Sequence, residues 1–286
     1  SPELTRNTIR GNRVNVAGSF STPTGLGGCI YARRSSPLLR YNIVSDNQVA
    51  ASSNSHARGG GLYFYFGAPD LVNNTITGNW VTESLSVMYD REGGGIYLYG
   101  SDLTLVNDIL WNDTPEEIFV SDYATLTIAY SDVQGGQAGV VIEGNPTLND
   151  AGDNIAADPL FIDAANGDYG LQSGSPAIDA GTAYFEWQGR VLVDLSPGEY
   201  IGAAPDMGAL EFGGAGGANQ PPVAVAAVSP DHGSAPLTVQ FTDASTPAGA
   251  ADQWLWTFAG GITSTEQNLT QTYSHNGLYT VTLHVT

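Results

Sequence analysis

The sequence predicts an all-β chain in two parts, a parallel β-helix solenoid followed by a small β-sandwich. Three observations predict it. Two stretches nearly repeat each other, GGGLYFYFGAPDLVNNTITGN over 59–79 and GGGIYLYGSDLTLVNDILWND over 93–113. Columns of like residues stay in step through several such units. Beyond a Gly- and Ala-rich segment at 213–220, short period-two runs continue without any repeat.

The columns identify the rungs. One holds Leu4, Leu39, Leu71, Leu105 and Ile128, and a second holds Ile9, Val44, Ile76, Leu110 and Val133, at spacings of 35, 32, 34 and 23 residues. A third holds Asn12, Asn47, Asn79, Asp113 and Gly136, and a fourth Gly28, Gly60 and Gly94. Between these columns apolar and polar residues alternate over short runs bounded by Gly, Asn and Asp, the pattern of short strands. A unit this small cannot bury its own apolar face. Stacked roughly 4.8 Å apart as parallel strands, successive units share one core. Asn at a fixed turn tolerates left-handed backbone and can bond its counterpart in the next coil, so that column reads as a structural ladder. The Gly pairs read as turns, because no helix follows them to complete a phosphate loop.

Extra residues enter each unit at one place, between the Asn and Gly columns: Arg13 to Leu26, Gln48 to Arg58, and Trp80 to Glu92. Equivalent insertions in a solenoid emerge along one edge, and such an edge is often where the molecule binds. Arg13, Phe20, His56, Arg58, Trp80, Tyr89, Asp90 and Arg91 are the candidate binding residues there. Aromatic faces stack on the apolar face of a sugar while charged groups take its hydroxyls.

Rungs are expected over 1–136, a closing region over 137–212, a linker over 213–220 and the sandwich over 221–286. SPELTRNTIRGN at 1–12 matches APDLVNNTITGN at 68–79, so the chain opens in mid-repeat and is expected to be a fragment of a longer protein.

Composition narrows the function. Nine Arg, no Lys and 29 acidic residues give a formal charge of −20, which repels phosphate backbones and anionic membrane surfaces. Nucleic acid is therefore not an expected partner. No apolar run is long enough to span a membrane as a helix. Cys29 is the single cysteine, and no Cys/His spacing suggests zinc. Calcium fits an acidic chain better, with Asp163, Asp168 and Asp179 as its candidate ligands.

Catalysis has little to stand on. A polysaccharide lyase would need a cation and an Arg or Lys base, drawn here from Arg33, Arg34, Arg40, Arg58 and Arg91. A glycoside hydrolase would need paired carboxylates, for which Asp90, Glu92, Asp113, Glu116, Glu117 and Asp122 are available. No motif joins them, and the four His are dispersed.

The runs ADPLFIDAANGDYGLQSGSPAIDAGT and PDMGALEF resemble the C-terminal end of secreted right-handed parallel β-helix repeat proteins of pectate-lyase-like fold. That resemblance implies a right-handed solenoid at an extracellular or cell-surface location, in a group holding both enzymes and proteins with no demonstrated chemistry. Residues 221–286 resemble the polycystic kidney disease (PKD) domain, an immunoglobulin-like module. The family's Trp-Asp-Phe-Gly-Asp-Gly stands here as Trp256-Thr257-Phe258-Ala259-Gly260-Gly261, with Trp and Phe kept and both acidic positions replaced. Trp256, Tyr273 and Tyr279 are accordingly read as core or corner residues.

Together these features point to a non-catalytic segment of a large extracellular protein, a rigid scaffold or adhesion module whose partner is a polysaccharide, a cell-envelope component or another copy of itself. The alternatives are a lyase or hydrolase with its site on the inserted-loop edge, and a subunit of an extracellular filament or sheath.

Overall fold

The computed structural model describes residues 2–16, 24–51, 55–82, 91–213, 224–245 and 253–285. It divides into two compact units, Ser1–Phe212 and Gly213–Thr286.

The first unit is a parallel β-helix of three long sheets. The first sheet stacks Glu3–Thr5, Leu38–Arg40, Asp70–Val72, Asp102–Val106, Thr125–Ala129 and Thr147–Asp150. The second stacks Thr8–Arg10, Ile43–Ser45, Thr75–Thr77, Ile109–Trp111 and Asp132–Val133. The third stacks Ile30–Arg33, Leu62–Tyr65, Ile96–Tyr99, Ile118–Val120 and Val140–Ile142. The register places residue over residue as the columns require: Leu4, Leu39, Leu71, Leu105 and Ile128 are successive partners, as are Ile9, Val44, Ile76, Leu110 and Val133. Leu71 and Leu105 are fully buried in one apolar cluster with Leu39, Val44, Ile76, Leu62 and Ile96. Each such side chain contributes about 1.5–3 kcal/mol by leaving water.

Close approach explains the Gly column. A Cβ on Gly28 would stand 1.9 Å from the carbonyl oxygen of Gly60, and one on Gly60 2.3 Å from that of Gly94, so the coils meet backbone to backbone there.

The Asn column is a ladder through the buried turn. Asn12 Nδ2 donates to Asn47 Oδ1 at 2.9 Å, Asn47 to Asn79 at 2.9 Å and Asn79 to Asp113 at 2.9 Å. The same oxygens accept the backbone N–H of the preceding rung. Gly136 does not extend it, beginning instead a short 3-10 turn, Gly136–Gly139. A second ladder climbs the neighbouring turn through Asn7, Asn42, Asn74 and Asp108, continuing by way of Ser131 to Asn154.

Each insertion is rooted in short strands that themselves stack. Arg13–Val16, Gln48–Ala51 and Trp80–Val81 form one parallel sheet, and Thr24–Leu26, His56–Arg58 and Arg91–Glu92 another. Val14, Val49, Ala51, Ala57 and Val81 pack together as a small apolar cluster.

Parallel pairing carries on past Gly136 into Val140–Ile142 and Thr147–Asp150, because Val140 and Leu148 still supply inward apolar contacts after the Asn and Gly columns have lapsed. A cavity of about 170 Å³ lined by Ile128, Val133, Val140, Leu148 and Ile155 lies at this end of the core.

The segment 158–212 then runs back along the flank of the solenoid. Its hairpin, Tyr184–Trp187 and Arg190–Asp194, lays Phe185, Leu192 and Val193 on Val72, Val106 and Ala129, the outward residues of the first sheet. Leu171, Ala177 and Met207 pack with Ile109, an outward residue of the second. Arg190 grips Asp70 through two bonds, at 2.7 and 3.0 Å, and Arg40 Nη2 donates to the Leu192 carbonyl at 2.8 Å. Asn107 exchanges two bonds with Thr182, and Asn73 Nδ2 reaches the Asp206 carbonyl at 3.0 Å. Arg10 reaches the Asn166 carbonyl at 3.3 Å. Asn73 and Asn107 occupy left-handed turn positions, which frees their side chains to tie the returning segment down.

The second unit holds two three-stranded antiparallel sheets, Ala226–Ser229 with Leu237–Asp243 and Leu269–Tyr273, and Thr263–Ser264 with Trp254–Thr257 and Thr282–Val285. Val239, Phe241, Trp256 and Phe258 form its core. Trp256 is fully buried and its indole N–H finds the Glu266 carbonyl at 3.0 Å. Gly260 and Gly261, at φ 86° and 81°, make the turn after Phe258, closed by the Gly261 N–H on the Phe258 carbonyl at 3.1 Å. Tyr273 and Tyr279 contact ring to ring at 4.2 Å.

Candidate functional site

The strands that root the insertions bring several of the edge residues into register. Arg13 and Trp80 both pair with Gln48, from either side, and Trp80 also bridges to Thr114. Arg91 pairs with Ala57, next to His56, and Arg58 pairs with Glu92. Arg13 spends its Nε on Asn15 at 2.7 Å. Arg58 forms a 2.8 Å ion pair with Glu92 and lies 5.1 Å from the centre of the Tyr97 ring. Phe20, Tyr89 and Asp90 lie outside the described residues.

Tyr97 belongs to a feature that the column reading passed over. Along the third sheet, inward residues alternate with outward ones, and most of the outward ones are aromatic. Tyr31, Tyr63, Tyr97 and Phe119 form one row, with centroid separations of 5.3, 4.8 and 5.3 Å; the last two pairs are stacked within 5° of parallel. Arg33, Tyr65 and Tyr99 form a second row, with the tyrosine rings 5.4 Å apart and the Arg33 guanidinium 5.6 Å from Tyr65. Phe66 stands across both tyrosines at 4.8 and 5.6 Å, nearly perpendicular to each. The quartets IYAR, LYFY and IYLY and the triplet IFV carried this signal, one aromatic at the same outward place in each aligned strand.

The two rows differ in access. Leu26 and Arg58, from the insertion strands, pack on the first row, which leaves Tyr63 and Tyr97 buried. Burial lifts the Tyr97 hydroxyl to about 12, against the opposing pull of Arg58, so it stays neutral. The second row is open: Arg33, Arg34 and Phe66 are exposed, Tyr65 and Tyr99 half-buried, and Tyr31 at the end of the first row is 44% exposed. Neither Arg33 nor Arg34 forms an ion pair among the described residues, whereas Arg10, Arg58 and Arg190 each hold a carboxylate.

The carboxylates considered for hydrolysis point elsewhere. Asp113 and Glu117 are buried at the end of the Asn12 ladder. Glu116 accepts the Gly93 N–H at 2.5 Å, and Glu92 is held by Arg58. Asp108 and Asp132 are also buried, and burial raises each to about 7. Asp163 accepts from Asn166, Asp168 from the Gly170 N–H, and Asp179 from the N–H groups of Ala203 and Ala204, so each organises a turn. Among the described residues no group of three or more His, Cys, Asp or Glu is placed to hold a metal ion, and no helix is long and apolar enough to cross a membrane.

A family model for a right-handed beta helix region matches residues 1–167, more than half of the chain, and a PKD domain model matches 219–286. The chain belongs to the right-handed β-helix family and carries a PKD domain after the solenoid. No curated protein and no solved structure matches it. Both modules are typical of extracellular proteins and are often contact modules for carbohydrate or protein.

Proposed function

We propose that this chain is a non-catalytic part of an extracellular or cell-surface protein, a rigid scaffold that contacts polysaccharide through the outward face of its third sheet. The supporting observation is the contrast between faces. The returning segment packs on the outward residues of the first and second sheets, while the third sheet presents Tyr31, Tyr65, Phe66 and Tyr99 beside Arg33 and Arg34. Aromatic side chains supply contact area at low entropic cost, and phenol and guanidinium groups supply hydrogen bonds to hydroxyls. A formal charge of −20 favours a neutral glycan over a polyanion. The scaffold reading also accounts for the buried acids, which serve ladders rather than open clefts.

Affinity electrophoresis against neutral and acidic polysaccharides tests this. Retardation by a neutral glycan, lost on replacing Tyr65, Phe66 and Arg33 together by Ala, is the expected result. Unchanged retardation of that triple variant would remove the third sheet from the proposal. New reducing or unsaturated ends in the glycan would make the protein an enzyme instead.

A further inference from the structure

The Asn12 ladder ends on two carboxyl groups. Asp113 stands where the three preceding rungs have Asn, and its Oδ1 accepts from the Asn79 backbone N–H at 2.7 Å and from Asn79 Nδ2 at 2.9 Å. In the second and third of those rungs the other side-chain atom is a nitrogen that donates to a carbonyl, from Asn47 to Ile9 and from Asn79 to Val44, both at 2.9 Å. Asp113 has Oδ2 instead, buried and without a hydrogen-bond partner. Glu117, 3% exposed, sets both carboxyl oxygens 3.2–3.3 Å from the Asp113 N–H and meets the Asp113 side chain as well. The Asp of the second ladder differs, for Asp108 Oδ2 accepts from the Val106 N–H at 3.0 Å and both of its oxygens are satisfied.

Two ionised carboxylates side by side out of water repel strongly, and something must lie between them. A calcium ion would ask for six to eight oxygens. Gly95 closes on the pair, a Cβ there standing 2.5 Å from Asp113 Oδ2 and 2.6 Å from the Glu117 carbonyl, and among the described residues no third His, Cys, Asp or Glu joins the pair as a ligand. A proton needs none. The other groups around the pair do not neutralise it. Asp46 acts on Asp113 with like charge and is itself held by Arg10 at 2.6 Å. Glu116 is occupied by Gly93, and Asn79, Gln134 and Gly139 are neutral.

We propose that Asp113 and Glu117 share one proton at neutral pH, and that this proton holds closed the turn of the fourth rung on which Asn79 of the third rung docks, so that alkaline conditions loosen the solenoid at that point. Burial raises both groups, and the Asp113 charge raises Glu117 further. Folded values above the ordinary carboxylate range mean that the folded chain binds more protons than the unfolded one. Stability is then fully present below the ordinary carboxylate range of about 4 and declines as pH rises from there through the raised folded values. Glu117 also leads directly into Ile118–Val120, so the shared proton sets the strand whose Phe119 closes the aromatic row.

Urea unfolding of the full chain from pH 5 to pH 9 tests the shared proton in wild type, Asp113→Asn and Glu117→Gln. Either amide permanently supplies the donor that the proton supplies only until it is lost. The variants are expected to match wild type at pH 5 and to exceed its folding equilibrium constant at least tenfold at pH 9, since one proton changes that constant tenfold per pH unit. Stability curves falling in parallel for all three proteins would overturn the proposal. Should either variant fail to fold, carbon-13 carboxyl titration of the wild type decides. An assigned Glu117 signal still protonated at pH 7 supports the shared proton, and titration of Glu117 near the ordinary value of about 4.3 overturns it.

Discussion

Two columns climb the same rungs of this solenoid under different rules. The polar one repeats Asn as far as Asp113, because a member in mid-column must accept from the rung before and donate to the rung after. The aromatic one, Tyr31 through Phe119, asks only that a flat ring lie over a flat ring, and it accepts Phe for Tyr. Parallel coils thus enforce identity where hydrogen bonds must close inside, and shape alone where they need not.

The comparison breaks first at its polar member. Asn79→Ala would remove both bonds that Asn79 Oδ1 accepts from the Asn47 backbone and amide, and the bonds that Asn79 Nδ2 donates to the Val44 carbonyl and to Asp113, all in the buried turn. A loss on the order of 3–5 kcal/mol, measured by urea denaturation, is expected from that many lost bonds. A loss below about 1 kcal/mol would mean that water enters the turn and the ladder does not hold the rungs. Tyr97→Phe touches the other column more lightly. It keeps the ring between Tyr63 and Phe119 and removes a hydroxyl bonded to Ser121, so a cost of about 1 kcal/mol is expected by the same assay. The smallest effect belongs to Tyr65→Phe on the open row, within about 0.5 kcal/mol of wild type. If Tyr65→Phe proved as costly as Asn79→Ala, the open row would be part of the framework and not a free surface.

Legibility in the sequence followed the same division. Leu71 over Leu105 and Asn79 over Asp113 could be read because register copies a requirement from coil to coil, and a copied requirement becomes a column. The ladder through Asn7, Asn42, Asn74 and Asp108 was equally periodic, but it sits inside runs such as LVNNTITGN where neighbouring Asn residues blur which one repeats. The aromatic rows were missed because alternation of Tyr with Leu and Ile satisfies any strand pattern. Only the third sheet's register shows that the rings meet. The path of 158–212 had no signal of this kind. Its contacts, such as Arg190 with Asp70, join residues 120 apart and occur once, so no period reports them. The same holds for Glu117, whose place opposite Asp113 depends on the shortened fourth unit, with its spacing of 23 residues.

A stack of coils has no natural length, since each added turn buries as much as the last. The returning segment supplies a measure. It engages Asn107, Asp70, Arg40 and Arg10, on four successive coils, through partners that do not recur. Duplicating one coil would shift every later partner by roughly 4.8 Å and leave Arg190 opposite the wrong residue. In this part of the chain, repeats cannot be gained or lost one at a time as in an ordinary tandem array, because the flank works as a gauge that fits one count.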